Sequence, residues 1–147
     1  MQLRLNMLRI VLLVVLFTTL VLGLVCYLSG DAALKLARLI YGTTLSELTP
    51  QVNYLLKMMG AYLITLGVLN VLAVANPLKY RAIVYADALM AVLRALQRVI
   101  FANSIQESFG LSMTRIYLNA GTMLVGAIVL GLLMRSVSKA ADRQTAV

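Results

Sequence analysis

Histidine and tryptophan are absent from this chain of 147 residues, and cysteine occurs once. Without histidine, no side chain titrates near neutral pH by default, and no Ser-His-Asp set can be built. Histidine ligation of haem is excluded, whereas thiolate or Met ligation is not. One cysteine permits no disulfide within the chain and no credible zinc site. Cys26 sits in an apolar run and reads as a small buried filler. Charge is also scarce. Only 12% of the residues are charged and 62% are hydrophobic. An average soluble domain is about 25% charged and about 45–50% apolar. A mean hydropathy of +0.94 therefore points to a membrane protein.

Acidic residues are the rarest charges: five Asp+Glu against thirteen Lys+Arg, a net charge of +8. In a soluble protein that excess suggests nucleic acid. Here the basic residues flank apolar runs, where they meet lipid headgroups and set orientation. No basic patch with interleaved aromatics stands apart from those runs, so nucleic acid is not an expected partner. The eight Met residues form no Met-x-x-Met series, so no copper site is expected. No Gly-rich phosphate loop is present. No catalytic residue, cofactor or metal is expected, and the chain is read as non-enzymatic.

Four apolar runs are long enough to cross a bilayer as helices: 10–28, 55–75, 82–101 and 116–134. The first follows Arg4 and Arg9. It exceeds the usual signal-peptide core and no A-x-A site follows, so an uncleaved anchor is expected. The expected fold is all-α, an integral membrane four-helix bundle forming one domain. Asp31 is placed to cap a helix over 32–41, with Ala33, Leu36, Ala37 and Ile40 on one face. That segment is expected as a short interfacial helix in the first external loop, lying on the outer leaflet or over the bundle. Residues 135–147 are expected to be a frayed polar tail.

Arg4, Arg9, Lys79, Arg81, Arg135, Lys139 and Arg143 fall on one side of these runs. Lys35, Arg38, Lys57 and Arg115 fall on the other. The balance puts both termini in the cytoplasm, and the setting is expected to be a bacterial inner membrane.

The third run, "ADALMAVLRALQRVIFAN", stands apart because it carries Asp87, Arg94, Gln97 and Arg98. At 100° per residue, Arg94 and Arg98 each lie about 20° from Asp87, so the three share a face with Gln97 at its edge. An Arg at the centre of a membrane helix costs about 2.5–3.5 kcal/mol on insertion scales. Such a face is expected to turn inward. Asp87 and Arg94 are about 10.5 Å apart along the axis, so a direct pair is not assured. Asp87–Asn70 and Arg94–Asn119 are the alternatives from neighbouring runs. One reading is packing between helices. Another is an outward basic site of Arg94, Arg98, Lys57 and Arg115 for a lipid phosphate or a carboxylate. A third is a proton or ion path through Asp87.

Small residues mark candidate helix contacts. Gly60 and Gly67 recur in the second run. Thr122 with Gly126, and Ala127 with Gly131, stand four apart in the fourth. Small-x-x-x-small faces let helices approach, within the chain or toward another membrane subunit.

"LKMMGAYLITLGVLNV" (56–71) and "LRALQRVIF" (93–101) resemble small bacterial four-span proteins of the BphX-like kind. The likeness lies in a basic residue before Gly60, a second glycine at Gly67 and an Arg late in the third run. It implies four helices and no set activity. That group often carries a carboxylate in its last span, where this chain has Asn119.

Functionally, the leading expectation is a non-catalytic accessory or scaffold subunit of a larger membrane assembly. Its expected partners are membrane lipids and other integral membrane subunits. The alternative is a binder of a lipid- or quinone-like molecule held by Arg94 or Arg98. A proton or solute conduit comes third.

Overall fold

The structure, a computed structural model, describes residues 2–145, with side chains as far as Asp142. Six helices follow in order: α1 (Gln2–Leu28), α2 (Gly30–Tyr41), α3 (Pro50–Ala75), α4 (Arg81–Ile100), α5 (Ala102–Phe109) and α6 (Met113–Thr145). There is no strand among the described residues.

Local chemistry sets the boundaries. Ser29 caps α2, its side chain accepting from the Ala32 N–H at 3.2 Å. Asp31, expected as that cap, lies inside the first turn, where a carboxylate still suits the helix dipole. Thr49 caps α3 through the Val52 N–H, and Pro50 fits the first helical position. Gly42 ends α2 at φ +71° and Gly110 ends α5 at φ +63°, both in the left-handed region that favours glycine.

The fold is all-α, but the expected four spans plus an interfacial helix are not what is found. Among the described residues, three helices are long and apolar enough to cross a membrane: α1, α3 and α6. The third run does fold as a helix, α4. Asp87, Arg94 and Arg98 within it make its composition too charged to join the other three. The first-loop helix α2 lies over the bundle, but not through the whole expected face, since Ile40 is exposed and Leu34 is buried. Leu34, one turn before Arg38, turns with Ala33 toward the bundle, and both are buried. The sequence does not announce the helix α5, because "ANSIQESF" is polar apart from Ala102, Ile105 and Phe109. Nor is the segment after Arg135 a frayed coil. It continues α6 to Thr145, because Val137 is fully buried and the segment carries good helix formers such as Lys139, Ala140 and Ala141. The Arg143 side chain and residues 146–147 lie outside the described residues.

The helices pack in two pairs. α1 runs along α3, and α4 runs along α6. Leu8, Leu12, Ala73, Val84, Met134 and Val137 join in one core cluster. This cluster contains the start of α1, the end of α3, the start of α4 and the late part of α6. Both described chain ends therefore lie at one end of the protein. Ala102, Leu111 and Ile116 form a second cluster at the opposite end, beneath Tyr41. Most large apolar side chains between the two ends face outward, as in Phe17, Val68, Leu93 and Leu132. That is the surface expected where the surrounding medium is lipid.

The α1–α3 pair depends on backbone approach. A Cβ at Gly60 would lie 2.6 Å from the Tyr27 nitrogen and 2.8 Å from the Gly23 oxygen. A Cβ at Gly67 would strike the Leu20 side chain. Gly126 and Gly131 differ. Nothing lies within 4 Å of a Cβ at either, so they make no helix contact within this chain. Ala127, between them, takes the inward position instead. Gly60→Ala is therefore expected to destabilise the protein by about 1–3 kcal/mol, the usual range for overpacking. Gly126→Ala should match or exceed the parent, since it removes only helix-weakening glycine freedom. Reversible unfolding in mild detergent measures both.

Candidate functional site

The polar face of α4 divides into two places. Near the end that holds the chain termini, Asp87 meets Asn70 of α3. The Asn70 side-chain amide donates to Asp87 Oδ1 at 3.3 Å. Asn70 is 0% exposed and Asp87 6%. Asp87 Oδ2 and Asn70 Oδ1 have no partner there. Asp87 and Arg94 do not pair, which fits their separation of about two turns on one helix. Beside this end, Arg9 reaches the carbonyl of Ala75 at 3.4 Å, close to the last turn of α3. A cation there satisfies an otherwise orphaned helix carbonyl.

At the other end, Arg94, Gln97 and Arg98 line one cavity of about 420 Å³. Its walls come from α2, α3, α4, α5 and the loops between them. Leu34, Leu45, Leu48, Leu56, Ile105 and Phe109 make it largely apolar. Arg98 lies over the Tyr41 ring, 5.0 Å from its centroid. Arg94 has no hydrogen-bond or ion-pair partner among the described residues, and no carboxylate lines the cavity. The expected Arg94–Asn119 bond is not formed. Asn119 sits half-buried in α6, where its own carbonyl accepts from Thr122.

The cavity roof is pinned from several sides. Arg38 donates to the Leu45 carbonyl at 2.9 and 2.6 Å and to the Ser46 carbonyl at 2.7 Å. Arg115 donates to the Tyr41 carbonyl at 3.3 Å. Thr43 donates through its hydroxyl to the Phe109 carbonyl at 2.6 Å, and the Thr44 N–H reaches the same oxygen at 3.2 Å. Gly110 lies so close to Thr44 that a side chain there would collide with it. The roof is thus a built structure rather than a loose loop.

Of the residues expected to form a basic site, only Arg94, Gln97 and Arg98 come together. Arg115 serves the roof, and Lys57 is exposed on α3 outside the lining. Sequence reasoning missed Tyr41, Thr43 and Phe109. A signal existed in "YGTT" and "FGLS", where an aromatic–glycine pair closes a helix and aims the ring across the turn.

No family model matches the chain, and it matches no curated protein and no solved structure. The resemblance to the BphX-like group therefore rests on 56–71 and 93–101 alone.

The Asp87–Asn70 contact has a measurable signature. Asn70→Ala leaves a buried carboxyl without its donor, at a cost of about 1–3 kcal/mol. The double variant Asn70→Ala/Asp87→Ala should cost less than the two single changes added, by at least about 0.5 kcal/mol. A double-mutant cycle on unfolding in detergent reads this coupling, and strict additivity would show the two residues to be independent.

Proposed function

We propose that this chain is a non-catalytic membrane protein that binds an amphipathic small molecule in the cavity under α2. One observation carries the reading: two guanidiniums, neither with a hydrogen-bond acceptor among the described residues, line an otherwise apolar cavity of about 420 Å³. Ligand pockets usually measure about 300–1,000 Å³ and combine apolar walls with a few placed polar groups. Arg94 and Arg98 are half-buried, so their guanidiniums stay accessible to an anionic or polar group that enters the cavity. A ligand with a polar head and an apolar body meets both demands. The basic residues at the end holding the termini outnumber those around the cavity. Both termini are accordingly assigned to the cytoplasmic side of a bacterial inner membrane, with the cavity facing outward.

A second reading, an accessory subunit of a larger membrane assembly, is favoured by α6. Gly121, Gly126 and Gly131 have open space where a side chain would stand, and small residues are what a partner helix packs against. The two readings are compatible, since a subunit can hold a lipid. A conduit through Asp87 has less support, because among the described residues Asp87 has only Asn70 to pass anything on to.

Native mass spectrometry after purification in mild detergent tests the cavity reading. The parent protein should carry a bound amphiphile. Leu34→Trp, which fills the cavity, and Arg94→Leu, which removes its unpaired charge, should both lose it. A parent that flies without any adduct, or a Leu34→Trp protein that keeps its full complement, counts against the reading.

A further inference from the structure

We propose, resting on the cavity reading above, that the bound molecule is a lipid bearing a phosphate monoester. Arg94 and Arg98 grip the phosphate, and the chains leave between α3 and α4.

Charge balance singles out this headgroup. Arg94 and Arg98 both face the cavity, and no Asp or Glu lines it. The acid on the same helix face, Asp87, is about two turns away and bonded to Asn70. Arg38 and Arg115, at the same end, are already engaged with roof carbonyls. The Tyr41 ring attracts Arg98 but leaves its charge and in-plane N–H groups available. Asp31 and Glu47 line an adjoining hollow beyond Leu34 and Leu48, not this cavity, which itself presents two positive charges among apolar walls. A quinone or a neutral isoprenoid alcohol completes neither. A carboxylate or a phosphodiester supplies one negative charge. A phosphate monoester carries about −1.5 to −2 at pH 7 and offers three acceptor oxygens. Guanidinium forks pair with such oxygens bidentately. Arg94 and Arg98 are one turn apart on α4, and Gln97 adds an amide donor at the same level.

The walls select a lipid over free phosphate. Leu34, Leu45, Leu48, Val52 and Leu56 are of no use to an inorganic ion, which would leave most of the space facing apolar side chains. The volume suffices for a headgroup and the first part of its chains. α3 and α4 each pack chiefly on their own pair partner and touch one another far less. Val52, Leu56 and Met59 on α3 face Arg94 and Gln97 on α4 across the cavity. The seam between these helices is the route by which chains reach the surrounding bilayer.

Displacement of a short-chain fluorescent phosphatidic acid from the full-length protein in neutral detergent provides the test. The competitors are dioleoyl phosphatidic acid, the phosphodiester dioleoyl phosphatidylglycerol, uncharged dioleoylglycerol and inorganic phosphate. Phosphatidic acid should compete about tenfold or more better than phosphatidylglycerol, the gain expected of an added charge-assisted contact. Arg94→Gln should erase that preference, while Lys57→Gln, outside the lining, should keep it. Equal competition by the two phospholipids overturns the proposal, without recourse to any variant. So does an equal loss in Lys57→Gln, which would mean general surface charge. Dioleoylglycerol competing as well as phosphatidic acid leaves the cavity reading standing and removes the phosphate. Inorganic phosphate competing at the same concentration makes the ligand a free anion and removes the lipid. Failure of the fluorescent probe to bind at all overturns the phosphate-lipid proposal, and the amphiphile adduct in native mass spectrometry then decides separately whether the cavity reading stands.

Discussion

Everything distinctive in this protein follows from one constraint on α4. Its charged residues share a face, and its neighbours are helices apolar enough to sit in lipid. Leaving Asp87, Arg94 and Arg98 against hydrocarbon would cost several kcal/mol. Turning them inward avoids that cost and hands Leu89, Leu93, Leu96 and Ile100 to the outside, where they are indeed exposed. The helix then has charged groups that its surroundings must satisfy. The two ends of the helix differ in this: Asp87 has one protein hydrogen bond, and Arg94 has none.

At the end holding the chain termini, the answer is internal. Asn70 supplies a hydrogen bond to Asp87, and the tight core of Leu8, Leu12, Val84 and Met134 closes around that level. At the other end the answer is left open. α2 and α5 fold over the helix ends and make a roof rather than a plug. The roof uses its own arginines, Arg38 and Arg115, on its own carbonyls, which leaves Arg94 and Arg98 as the cationic side chains lining the cavity. The glycine contact between α1 and α3 supports this division. By locking that pair through backbone approach, it leaves α3 free to stand off from α4 above the Asp87 level.

Much of the fold was legible because hydrophobic runs and helix length are a direct physical measure of what lipid tolerates. The ends of the four long helices were found to within a few residues, except where polar turns extended them, as before Ile10 and after Met134. The inward turn of Asp87 and its partner Asn70 followed from angular spacing and depth. The number of apolar crossings did not, because counting runs ignored how far three charges in α4 lower its suitability. The short helices were harder. α5 has too few apolar residues to show a period, and its course is decided by Gly110 and by Phe109 bonding back to the loop after α2. Those contacts join segments some sixty-six residues apart in sequence, as between Thr43 and Phe109, and no local pattern announces them. For the same reason Arg94 and Arg98 could be placed on a face, but their cavity could not be foreseen. Gly126 and Gly131 showed the opposite failure. Their spacing suggested contact, yet small residues are equally compatible with a face that meets nothing in its own chain.

The orientation of α4 is what the account stands or falls on. Oxygen accessibility of single spin labels, scanned from Ala86 to Asn103 in reconstituted vesicles with Cys26 replaced by serine, measures it directly. The account predicts a helical period with maxima at Leu89, Leu93, Leu96 and Ile100 and minima at Asp87 and Ala95. A flat profile, or maxima on the face of Asp87, Arg94 and Arg98, would contradict it.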